Sequence, residues 1–155
     1  MDAPNRGKCP KVWKITTDFH ENLSIENGLQ AILKILMHCR DQNGTVYIAG
    51  NGGSAAIASH VAIDFLNMAK MKATAMLDPA VTTCISNDYG YEHIYAKQLA
   101  CFVQKEDVLI AISSSGRSQN IINAVNVAKK QGAQIITFSG FSENNPLRQM
   151  GYYNL

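Results

Sequence analysis

The sequence predicts one α/β domain, a parallel sheet with helices on both faces. Three observations lead there. Short β-rich runs alternate with helical patterns, which favours parallel strands joined by crossover helices. One run, 107–112, is apolar after its opening Asp107, as a strand buried on both faces should be. Turns rich in glycine and serine follow the first and third strands, on the side where open parallel sheets bind ligands. The 155 residues suit one domain with one core.

Taken in order, residues 1–12 read as a loose N-terminus carrying Pro4, Gly7 and Pro10. The domain is expected over 13–155, with a helical segment at 13–41 and an α/β core at 45–155. In the helical segment Ile25, Leu29, Ile32, Leu33 and Leu36 form one apolar stripe. Asn22 or Ser24 is placed to cap a break within it, and Asp41-Gln42-Asn43-Gly44 ends it. The stripe is longer than a cap over the core requires, so this helix is expected to pack between subunits.

The first strand is expected at 45–49, a glycine turn at 50–54 and a helix at 55–69. A second strand follows at 72–77, a short helix at 79–86, a turn at 87–90 and a longer helix at 91–104. The third strand is 107–112. After the polar turn 113–118, a helix over 119–131 stops at Gly132. A fourth strand is expected at 133–138. A fifth opens at 151–155, where the chain stops. A doubly wound sheet would continue into a closing helix, so the chain reads as a shortened version of a longer one.

Composition excludes several classes. A 46% hydrophobic fraction is too high for a disordered chain, and the formal net charge is only +2, without like-charge blocks. Nothing therefore points to a nucleic-acid or membrane surface. The four cysteines, Cys9, Cys39, Cys84 and Cys101, form no C-x-x-C pair and read as reduced thiols. The start lacks the apolar core of a signal peptide, so a cytoplasmic location is expected.

The segment 113–118, Ser-Ser-Ser-Gly-Arg-Ser, lies between a buried strand and a helix. A helix start offers free N–H groups and a partial positive charge, which suit a phosphate. Ser113, Ser114, Ser115 and Ser118 add hydroxyls at the same place. The plain alternative is a serine-rich turn with Ser118 as N-cap, but a cap needs one serine. Gly50-Asn51-Gly52-Gly53-Ser54 occupies the corresponding place after the first strand. A dinucleotide fingerprint fits it poorly: Ala55 replaces the third glycine, and Asp78 lies well beyond the usual ~20 residues.

His60 and Asp64 stand four apart on the following helix and so share a face. Such a pair holds a divalent metal, shares proton transfer, or is an ordinary solvated pair. The helix begins at the candidate site, which favours the first two. Asn87 and Asp88 precede the next helix, as ligand contacts or as turn and capping residues. His20, His38 and His93 read as surface residues.

Together, GNGGS at 50–54, Ala58, His60 and Asp64, SNDYG at 86–90 and ISSSGRS at 112–118 resemble the sugar isomerase (SIS) domain, most closely the phosphoheptose isomerases. The resemblance covers about residues 20–155. It implies a flavodoxin-like core, a homotetramer or dimer with active sites between subunits, and interconversion of sedoheptulose 7-phosphate and a heptose 7-phosphate for surface-glycan heptose synthesis. It further implies that Asn51, Gly52 and Gly53 line the sugar, as do Asn87 and Asp88. Ser113, Ser114, Ser115 and Ser118 bind the phosphate. His60 matches a zinc ligand, and Asp64 the metal-binding catalytic glutamate. The proposed chemistry is enediol proton transfer with Asp64 as base and zinc as Lewis acid.

Three departures stand out. Asp64 is one methylene shorter than glutamate, a retreat of roughly 1.5 Å. Met68 stands where many of these enzymes carry an arginine. The family's C-terminal helix, source of a further Gln and His, is expected to be absent. A non-catalytic phosphosugar-binding or protein-interaction SIS module is the alternative from another class.

Overall fold

A computed structural model describes residues 25–154. Helix α1 (Ile25–Asp41) leads into β1 (Thr45–Gly50), α2 (Gly53–Asn67) and β2 (Lys72–Thr74). Then come α3 (Pro79–Tyr89), a 3-10 turn at Tyr91–His93 and α4 (Ala96–Phe102). Strand β3 (Val108–Ser113), α5 (Gln119–Lys130), β4 (Gln134–Ser139) and β5 (Tyr153–Asn154) complete the order. All four strand pairings are parallel, in the spatial order β2-β1-β3-β4-β5. The expected fold class is therefore present. The helical expectation for 13–24 lies outside the described residues.

Two apolar layers follow from the alternation of side chains along the strands. Val46, Ile48, Val108, Ile110 and Ile136 pack with Ile32 and Cys39 of α1 and with Ala58 and Ala62 of α2. Tyr47, Ala49, Leu109, Ala111 and Ile135 pack with Leu99 of α4 and with Ile121, Ala124 and Val125 of α5. Each large side chain taken out of water stabilises the fold by about 1.5–3 kcal/mol. Asp107 aligns the amino ends of the strands. Its carboxylate accepts from the Thr45 and Gln104 N–H groups, both at 2.7 Å, and its carbonyl accepts from Gln134 N at 2.9 Å.

Several boundaries differ from the sequence expectation, each for a physical reason. Helix α2 starts at Gly53, inside the expected turn, because Gly52 makes the whole reversal at φ 54, ψ −120, a conformation that glycine alone adopts readily. Strand β2 stops at Thr74 instead of Leu77. It pairs only with the start of β1, and Met76 then turns away at φ 51. Residues 87–90 are not a turn, and neither Asn87 nor Asp88 caps a helix. Asp78 starts α3 by accepting from Val81 N at 2.9 Å with Pro79 behind it, and the helix runs to Tyr89. The expected helix 91–104 divides into the 3-10 turn and α4.

The apolar stripe of α1 also divides. Ile32 is buried against the sheet, but Leu29 and Leu33 are 51% and 55% exposed.

Candidate functional site

In the order β2-β1-β3-β4-β5, the chain direction of winding switches between β1 and β3. Connections leave opposite faces at that point and open a crevice at the carboxyl ends. The β1–α2 turn (50–54) and the β3–α5 turn (113–118) border it, so the structure brings the two predicted loops together.

The serine loop is tightly turned. Gly116 N donates to Ser113 O at 2.9 Å, and Arg117 N to Ser115 Oγ at 3.2 Å. Gly116 sits at φ 62. Ser118 occupies the N-cap of α5 without capping it. Its hydroxyl instead accepts from Ser113 Oγ at 3.1 Å. At the start of α5, Ile121 N and Ile122 N both donate to Ser118 O at 3.0 Å, so the Gln119 and Asn120 N–H groups are the ones without an intrahelical acceptor. The loop thus combines free amides with hydroxyls not spent on the helix, a suitable cradle for a phosphate. Ser113 is buried, Ser115 partly buried, and Ser114 and Ser118 are exposed or half-buried at the loop surface.

Asn51 is held more firmly than the sequence suggested. Its Nδ2 donates to Asn120 Oδ1 at 2.9 Å, and Asn120 Nδ2 returns a bond to Asn51 Oδ1 at 2.7 Å. Tyr91 Oη donates to the same Asn51 oxygen at 3.1 Å. The buried Tyr95 hydroxyl donates to the Gly50 carbonyl, and burial raises its pKa. Most of the Asn51 amide is therefore committed to joining the two loops, while Gly52 and Gly53 are exposed and have open space around them. Asn120, Tyr91 and Tyr95 were not singled out from sequence. The only signal was a polar residue in the first turn of α5 and aromatics after Gly90.

Asn87 and Asp88 lie in the last turn of α3. They bond to each other at 2.9 Å, and Cys84 Sγ lies 3.6 Å from Asp88. That contact raises the Cys84 pKa. No bond joins either residue to the crevice among the described residues; Tyr91 makes that contact.

His60 Nε2 and Asp64 Oδ2 are 3.5 Å apart, with side chains 78% and 56% exposed. The expected pair forms, and among the described residues no hydrogen bond or ion pair joins it to the crevice loops. At 1.5 Å per residue, Asp64 lies about 16 Å down α2 from Gly53. The pair sits on an exposed face of α2 flanked by Ile57 and Ile63, with Leu66 exposed farther round the helix. Imidazole and carboxylate suit zinc in kind. In number they fall short, because no group of three His, Cys, Asp or Glu residues converges among the described residues. Met68 is 82% exposed. No described helix is long and apolar enough to cross a membrane.

The family model of the SIS domain matches residues 12–140. The chain is 36% identical over 140 residues to the phosphoheptose isomerase of Thermodesulfovibrio yellowstonii, covering 86% of this chain and 68% of that protein. With the phosphoheptose isomerase of Helicobacter pylori it shares 35% identity over 123 residues, covering 76% of this chain and 64% of the other. The chain thus spans about two thirds of the length of these relatives. A solved phosphoheptose isomerase from Neisseria gonorrhoeae superposes with a TM-score of 0.78 at 32% identity, covering 84% of this chain and 72% of that one.

Proposed function

The chain belongs to the SIS-domain family, among its phosphoheptose isomerases, and on that premise we propose that it interconverts sedoheptulose 7-phosphate and a heptose 7-phosphate. The observation that carries this reading is the serine loop at the switch point, with the Ser118 hydroxyl turned away from capping.

The phosphate rests on the amides at the start of α5 and on the hydroxyls of Ser113, Ser114, Ser115 and Ser118. The sugar then extends past Gly52 and Gly53, which leave room for it. Asn51, Asn87 and Asp88 are proposed to border it. Asp64 takes the proton from C1 of the ketose to form an enediol, and a proton returned to C2 completes the aldose.

Asp64 lies about 16 Å along α2 from the Gly53 end that borders the crevice, and we assign it to the serine loop of a second copy, in a homotetramer or dimer. Two features support this. Helix α2 is apolar nearly all round, a pattern that belongs inside an assembly. Its exposed Ile57 and Ile63 flank the His60–Asp64 pair, and Leu66 on α2 and Leu29 and Leu33 on α1 are further exposed apolar side chains. A zinc ion held by His60 and Asp64, with ligands from outside the described residues, would polarise the sugar oxygens when bound. A cytoplasmic location agrees with the free thiols of Cys39, Cys84 and Cys101.

The test is turnover of sedoheptulose 7-phosphate, followed by NMR with and without a chelator. Conversion to the aldose is expected, and chelation should slow it. Absence of turnover despite tight phosphosugar binding would favour a non-catalytic binding module. The exposure of both His60 and Asp64, as in an ordinary solvated pair, is the observation that favours this second reading.

A further inference from the structure

The serine loop is not held by its internal hydrogen bonds alone. Its turn depends on Gly116 at φ 62, and the space where a Cβ would stand is filled by the side chain of Asn145. Any larger residue at 116 would collide with the Asn145 amide oxygen.

Asn145 is fully buried in the β4–β5 connection. Its Nδ2 donates to Ser142 O at 2.8 Å and Ser139 Oγ at 3.0 Å, with a longer contact to Gly140 O at 3.4 Å. Its Oδ1 accepts from Arg148 N at 2.9 Å. The segment folded around this amide then reaches back to the serine loop. Leu147 N donates to Gly116 O at 3.1 Å, and Gly140 N donates to Ser114 O at 3.0 Å. Two backbone bonds and one packing contact thus clamp the turn from the β4–β5 connection.

We propose that Asn145 is a positioning residue for phosphate binding: it fixes the backbone of Gly116 so that the loop amides converge on one anion. The assignment rests on the serine loop as the phosphate cradle. A buried amide whose every bond goes to loop backbone or to Ser139 has no route to the ligand except through that geometry. Removing it frees the 142–148 segment and lets Gly116 adopt other conformers.

The experiment compares the unaltered chain with Asn145→Ala, using inorganic phosphate as probe and amide hydrogen exchange without ligand. Exchange at Ser115–Arg117 should accelerate, while the β1 and β3 amides keep their protection. Phosphate affinity should fall about tenfold, and in an active preparation KM for the sugar phosphate should rise with kcat little changed. Gly116→Ala sharpens the comparison. Its cost should be smaller in the Asn145→Ala background, because the obstructing oxygen is gone. Should Asn145→Ala fail to fold, Asn145→Ser, which keeps one donor, carries the same measurements.

Unchanged loop exchange together with additive effects of the two substitutions would overturn the proposal. If the loop amides loosen but the unaltered chain binds no phosphate, the brace stands and the phosphate reading of the loop falls.

Discussion

Asp64 carries the sharpest residue-level test. Asp64→Asn is nearly isosteric but cannot accept a proton at neutral pH. Turnover should drop about a thousandfold, with phosphate affinity at the serine loop unchanged when measured by calorimetry. Asp64→Glu restores the reach of the family's carboxylate and should retain or raise activity. Equal activity in all three chains would remove Asp64 from the chemistry. At the opposite end of the sheet, burial, reinforced by Asp107, pushes the Cys39 thiol from 9.0 up to about 11. The unfolded thiol therefore ionises first as pH rises. Folded stability should be unaffected by Cys39 below about pH 9 and should decline from there toward 11. Thermal midpoints measured across that window should fall less steeply in Cys39→Ala.

Among the elements, α5 depends on a partner far away in sequence. The reciprocal amide pair between Asn51 and Asn120 links the two crevice loops across 69 positions. Asn120→Asp places a carboxylate oxygen against the Asn51 oxygen in place of the donated bond, while Asn51 Nδ2 and the Ile121 N–H remain as its donors. A loss of about 1–3 kcal/mol is expected from urea unfolding. Weaker sugar-phosphate binding should accompany it, because both loops shift. A stability loss without any change in binding would make the pair a packing feature alone. The contrast with Ser118 is instructive. A serine at a helix start reads as a cap from sequence, yet its hydroxyl faces Ser113.

For the whole molecule, the proposed assignment of Asp64 to the serine loop of a second copy predicts sites shared between copies. Mixing Asp64→Asn chains with Ser115→Ala/Ser118→Ala chains provides the measurement. Neither variant should turn over alone. After exchange of subunits, random pairing should return about a quarter of full activity, because a quarter of sites combine an intact loop with an intact carboxylate. No recovery, with light scattering showing that mixed oligomers had formed, would place loop and carboxylate in a single chain.

Much of this molecule was readable before its structure. The apolar run of β3, the glycine and serine turns and the alternation of strand with helix are local patterns, and local patterns specify element type and order. They also located the serine loop and paired His60 with Asp64 on one helical face. Tertiary structure alone decided which polar residues hold the loops. Asn120, Asn145, Tyr91 and Asp107 look ordinary in sequence, and each acts through partners that only the closed sheet brings within bonding distance. It also decided that Leu29 and Leu33 remain uncovered while Ile32 is buried. Periodicity assigns a residue to a face; what covers that face follows from packing in three dimensions.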